Sequence, residues 1–233
     1  MGHAAEQPRA VLGVGVRPER ILALFLVVLG TQLLGLAVAF WFPIEPGQVG
    51  LAELESERGY VWVFFSLAAV NLAVGLPALA LAGWLLTPHR GAVWGTLGGA
   101  GICLGAGFYA AGVAGWAGSY FVATSSEVIG VDAAQELLAA VNADDARLWS
   151  LAGGGAALVA LGTVGLSVGL WRAASVPRWI PVVASVGIVA TLVLPVSGAA
   201  GLLTEGPVAA AGIAIGWYAW VRHRRPTGDE LGA

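Results

Sequence analysis

Few side chains in this chain of 233 residues are of a kind that does chemistry, and they do not gather. The three histidines, His3, His89 and His223, fall in the amino-terminal stretch, a tight turn and a basic carboxy-terminal cluster. That is too dispersed for a ligand set, so neither a metal nor a cofactor is expected. The one cysteine, Cys103, sits in an apolar segment, where it reads as a small hydrophobe at a helix contact and cannot form an intrachain disulfide. No Asp, Glu, Lys, Arg or His falls in the interior of an expected apolar span; Glu205 sits near the start of the last one. Proton relays, ion-coupled carriers and intramembrane hydrolases keep such groups within the membrane, where a charge is expensive and persists for function. No catalytic residue is therefore assigned.

The polar groups inside apolar segments are Gln32, Asn71 and Tyr109, beside hydroxyls such as Thr31, Thr96, Thr163 and Thr191. A carboxamide left unpaired in hydrocarbon carries a large penalty, so Gln32 and Asn71 each require a partner across a helix interface. Facing one common cavity, they would instead contact a substrate; Tyr109 poses the same choice. Glu205 precedes Gly206 and Pro207 in what reads as a turn, and is the one acidic group near membrane depth. It is the candidate for an outer acidic site that gates or binds a cation, against the simpler reading of an exposed loop carboxylate.

The elements that position these groups follow from composition. The chain is 58% hydrophobic and 11% charged with a mean hydropathy of +0.83, whereas soluble proteins average roughly 25% charged residues. It reads as an all-α integral membrane protein, a six-transmembrane-helix bundle. The expected spans are residues 21–42, 60–86, 92–116, 148–171, 179–196 and 201–221, within a membrane domain of residues 20–225. Residues 1–19 and 226–233 read as cytoplasmic tails. Ala37-Val38-Ala39 has the small-x-small look of a signal-peptidase site, but the apolar run continues through Phe42, which favours an uncleaved first span. The long polar interruption after the third span contains VDAAQELLAAV. Asp132 and Gln135 there form a capping-box pattern, and Ala134, Leu138 and Val141 share a face, so an amphipathic helix is expected in the extracytoplasmic loop between the third and fourth spans.

Glycine organises the third span. It costs about 1 kcal/mol relative to alanine in a water-exposed helix, but in a bilayer small residues let helices approach closely. Gly95 and Gly99, Gly101 and Gly105, and Gly165 and Gly169 each have the small-xxx-small spacing of a helix contact. The third span therefore reads as the central helix of the bundle.

Charge sets the orientation. All basic residues are arginine, as suits a GC-rich bacterial genome. Placing both termini in the cytoplasm gathers Arg9, Arg17, Arg20, Arg90, Arg172, Arg178, Arg222, Arg224 and Arg225 on that side and leaves Arg58 and Arg147 outside. The ten tryptophans all fall near span ends, as interfacial belts require. Localisation to the bacterial inner membrane follows, with an acidic outer surface. The expected partners are the lipid bilayer and another membrane subunit, with no nucleic acid. The reading is a non-enzymatic binding, accessory or structural membrane component. The alternative is a small-molecule or lipid transporter whose path runs between the glycine-rich third and fourth spans. A membrane enzyme would need outer carboxylates around Glu53 and Asp144 to converge.

Overall fold

Hydrocarbon offers the backbone no partner but itself, and every regular element among the described residues is helical. The structure, a computed structural model, describes residues 17–41, 51–125, 129–143, 145–194 and 198–224. The expected tails before Arg17 and after Arg224, the end of the first span at Phe42, Asp144 and the end of the fifth span at 195–196 lie outside the described residues, as does the side chain of Glu53. The elements are α1 (Pro18–Trp41), α2 (Leu51–Ser56), α3 (Arg58–Val70), a π-helical turn (Asn71–Gly75) and α4 (Leu76–Leu85). A 3-10 turn (His89–Gly91) leads into α5 (Ala92–Ala123), followed by α6 (Val131–Ala143), α7 (Asp145–Ala173), α8 (Trp179–Val193) and α9 (Gly198–Arg224).

Among the described residues, five helical runs are long and apolar enough to cross a membrane: Pro18–Trp41, Arg58–Leu85, His89–Ala123, Ser150–Ala173 and Gly198–Arg224. The expected fifth span is shorter than that. Its helix, α8, has 15 residues and covers about 22 Å at 1.5 Å per residue, against a hydrocarbon core of roughly 30 Å. A second difference concerns Glu205-Gly206-Pro207. These residues do not turn the chain; α9 runs through them with Pro207 inside the helix. Glu and Gly-Pro read as a turn in water, but in hydrocarbon an interrupted helix would leave several backbone groups bare. Cys103 also differs from expectation, being exposed on α5 rather than enclosed in a helix contact.

The π-helical turn sits where α3 gives way to α4, and Pro77 follows it in the first turn of α4, where its missing N–H costs least. Its two sides have different partners. The α3 side packs on α5, while α4 packs on α5, α9 and α1. Helices α1 and α9 run antiparallel, because Gly216 faces Phe25 and Val28 while Gly212 faces Gln32. Phe25 stacks on Trp220 with ring centroids 5.8 Å apart. This places the start of α1 and the end of α9 together at one end of the bundle, the basic end.

Apolar packing forms two clusters. One, toward the basic end, joins Val28, Leu79, Ile102, Leu166, Ile180 and Ile215. The other, at the far end, joins Leu54, Val61, Phe65, Val113, Ala117 and Leu138. Helix α6 reaches the second cluster through Leu138, with Ala134 also buried on that face. The most extensive helix pair is α5 with α7, and glycine makes it so. A methyl group at Gly98 would collide with the backbone of Gly162 and Leu166, one at Gly105 would stand 2.6 Å from the carbonyl oxygen of Gly155, and one at Gly112 would stand 2.8 Å from the Ala152 side chain. Gly91, meeting Gly169, completes the series. The spacing along α5 is seven residues, and Gly155, Gly162 and Gly169 repeat it on α7, the period of a left-handed antiparallel helix seam.

Candidate functional site

The polar groups singled out above are spread over several helices. Two of them mesh at the contact of α1 with the π-helical turn. Gly35 makes room for Asn71, whose Nδ2 lies 3.0 Å from the place a Cβ would take, and Gly75 makes room for the Thr31 side chain. The Thr31 hydroxyl donates to its own helix, at 2.8 Å from the Val27 carbonyl oxygen, so it offers Asn71 no proton. The sequence requires a hydrogen-bond partner for Asn71 across the interface, and here the structure differs. The Asn71 Oδ1 is buried without one, because glycine and a self-satisfied threonine face it. Gln32 lies against Gly212 of α9, its Oε1 3.0 Å from the place a Cβ would take there.

Tyr109, on α5, packs its side chain against the far-end cluster. Glu205 lies on α9, which packs on α1, α8 and α4. Other hydroxyls in the spans are used locally: Thr163 donates to the Val159 carbonyl at 2.8 Å and Thr191 to that of Ile188 at 2.9 Å. Thr96 accepts from the Trp84 indole at 3.2 Å, tying α4 to α5.

The glycines named from sequence divide by neighbour. Gly105 faces Gly155 and Val159, Gly101 faces Gly162, Gly165 faces Gly98, and Gly169 faces Gly95. Gly99 instead faces Ala80 of α4 at an ordinary 3.8 to 3.9 Å. Gly155 reads from sequence as part of a glycine cluster with Gly153 and Gly154, whereas Gly98, Gly112 and Gly162 were not singled out, although the seven-residue spacing is visible in the chain. The α5–α7 seam leaves no passage, since the two backbones are already in contact along it. A transport path there is closed in this structure.

A further polar centre, absent from the sequence reading, lies at the far end. Arg58, at the start of α3, donates from Nη2 to the Ser125 Oγ at 3.0 Å and lies over the Phe121 ring, 4.3 Å from its centroid. Its Nε is buried without a hydrogen-bond partner. A crevice of about 10 Å³, room for one water, opens beside it between Leu54, Trp62, Tyr120 and Phe121. Among the described residues no three His, Cys, Asp or Glu side chains are grouped to hold a metal ion.

No protein-family model, curated protein or solved structure matches the chain. The helical architecture and its apolar surface fit an integral membrane protein, and its chemistry has to be argued from these contacts alone.

Proposed function

We propose that the chain is a non-enzymatic binding or accessory component of a bacterial inner membrane, with six crossings and both termini in the cytoplasm. The observation that carries this reading is the closed α5–α7 seam: the interior is occupied by helix backbones in contact rather than by a passage. Six crossings are supported by the pairing of α8 with α9. Gly187 of α8 faces Val208 of α9, while Ile180 and Ala184 share a cluster with Ile215 and Ala219. The shorter helix therefore runs antiparallel along most of the apolar length of the longer one. Cytoplasmic termini are supported by the basic residues at the start of α1, in the two tight turns and at the end of α9. On this reading α6 rests at the extracytoplasmic mouth.

The test is native mass spectrometry of the protein extracted gently from its own membrane. A stoichiometric protein partner is the expected outcome. A retained small molecule without any protein partner overturns the accessory reading in favour of a carrier whose path avoids the α5–α7 seam.

A further inference from the structure

At the basic end of the bundle three aromatic rings form one shelf across the contact of α1 with α9. Phe25 of α1 stacks on Trp220 of α9, with ring centroids 5.8 Å apart and planes 9° from parallel. Trp217 meets both rings at a steep angle, 5.8 Å from Phe25 and 4.9 Å from Trp220. Gly216 lets the helices come this close, since a Cβ there would stand 3.2 Å from the Phe25 ring and from a Val28 methyl. The shelf is not enclosed. Trp217 keeps 46% of its surface exposed.

Positive charge stands directly over it. The Arg224 guanidinium carbon lies 5.1 Å from the centre of the Trp220 ring. The register of the two helices brings further charge to the same level: Gly216 meets Phe25 and Val28, eight residues on from Gly216 is Arg224, and eight back from Phe25 and Val28 are Arg17 and Arg20. All three arginines are exposed. Among the described residues the one acid at this end is Glu19. It lies nine residues from Val28 and therefore half a turn round α1 from the contact with α9. Like charges held at one level on packed helices repel, and no carboxylate among the described residues sits on that side to offset them.

We infer that this corner of the α1–α9 contact binds the phosphate of an anionic phospholipid through Arg224, with Trp217, Trp220 and Phe25 as the shelf beneath its glycerol and first methylenes. The anion follows from the uncompensated charge, and the phosphate from the residue type: a guanidinium lying on a ring still points its N–H groups outward in one plane, the fork that matches phosphate oxygens. The lipid follows from depth. Helix α9, with 27 residues, covers about 40 Å against a hydrocarbon core of roughly 30 Å, so its last turn stands in the headgroup layer and the rings lie one and two turns deeper, where interfacial aromatics sit. A free phosphate would use the arginines and leave the exposed ring face bare. A zwitterionic headgroup carries its own ammonium and brings no net charge. The inference stands independently of the accessory reading, because an accessory subunit and a carrier can each hold such a lipid.

The test is thermal unfolding of the delipidated full chain in detergent micelles doped with phosphatidylglycerol or with phosphatidylcholine, and in undoped micelles with inorganic phosphate. The expected result is a saturable rise in Tm with phosphatidylglycerol, reaching about 5 °C well above its dissociation constant, and none with the other two. Arg224→Gln, folded as the parent is in phosphatidylcholine, loses most of the rise. Arg90→Gln removes the same charge from the tight turn before α5 and keeps it. Arg224→Lys retains the charge without the fork and recovers less than half. An equal rise with phosphatidylcholine overturns the inference, as does an equal rise with inorganic phosphate, which would make the ligand a free ion. Equal losses in Arg224→Gln and Arg90→Gln, or full recovery in Arg224→Lys, would show a general attraction to anionic surfaces and overturn the site.

Discussion

Gly105 and Gly155 are reciprocal: a methyl group on Gly105 would stand 2.6 Å from the carbonyl oxygen of Gly155, and one on Gly155 would stand 2.8 Å from the carbonyl oxygen of Gly105. Neither obstacle is a side-chain end that could swing aside. Gly105→Ala is therefore expected to force α5 and α7 apart and to cost about 3 kcal/mol, within the range of overpacked cores. At this chain length that lowers Tm by about 5 °C or more. Two controls separate this from a general intolerance of glycine replacement. Gly99→Ala meets only Ala80 at an ordinary distance, and Gly107→Ala meets nothing within 4 Å; both should unfold within about 1 kcal/mol of the parent. Equal losses at all three positions, read by thermal unfolding in detergent, would show that the seam does not decide stability.

Arg58 joins the start of α3 to the end of α5 through a hydroxyl and an aromatic face, neither of them charged. Its contribution should then be nearly independent of salt, unlike that of an ion pair. Arg58→Ala is expected to cost about 1 to 2 kcal/mol, from one charge-assisted hydrogen bond and one cation–π contact. Arg58→Lys should recover little of this, since an ammonium cannot both lie flat on Phe121 and fork to Ser125. Tm measured at low and high sodium chloride checks both statements, and a loss that vanishes at high salt would point to an unrecognised carboxylate partner.

Asn71→Leu tests the contact of α1 with the π-helical turn. An interhelical hydrogen bond in a membrane is worth about 1 kcal/mol, but the Asn71 Oδ1 makes none. The leucine variant should therefore be less stable than the parent by no more than about 1 kcal/mol in thermal unfolding in detergent. A large loss would mean that the carboxamide is a structural clasp on α1.

The helical class and most of the helix positions could be read from hydropathy, because an apolar run of membrane length has no other stable conformation. The contact face of the glycine-rich helix was harder to read. Glycine recurs along α5 at both four and seven residues, and the partner decides which recurrence is used; antiparallel α7, with Gly155, Gly162 and Gly169, selects the seven-residue set through Gly98 and Gly105. Glu205 was misplaced for a different reason. Glu-Gly-Pro is turn chemistry in water, and only the continuation of apolar residues on both sides shows that the helix runs through it. That Tyr109 packs against the far-end cluster depends on long-range packing, on which local sequence is silent. Arg58 looked like a stray outer charge because its partners, Phe121 and Ser125, are distant in the chain.

The depth of α8 decides the topology, and its neighbour makes a prediction possible. By length alone α8, with 15 residues, falls short of the bilayer, and five crossings would put the two termini on opposite faces. Its packing argues otherwise. Trp179 begins α8 beside the basic end, where Ile180 joins Ala219, and by Gly187 the helix has reached the level of Val208. The remaining residues to Val193 climb about 9 Å further at 1.5 Å per residue, past Glu205 and close to the start of α9. A hairpin of this kind places the entry of α8 and the exit of α9 on one face, so epitope tags at the two termini should be digested together in inside-out vesicles and protected together in right-side-out spheroplasts. Protection of one tag and digestion of the other would reduce α8 to a re-entrant helix. The basic cluster of Arg222, His223 and Arg224 would then lie outside, against the charge asymmetry of the rest of the chain.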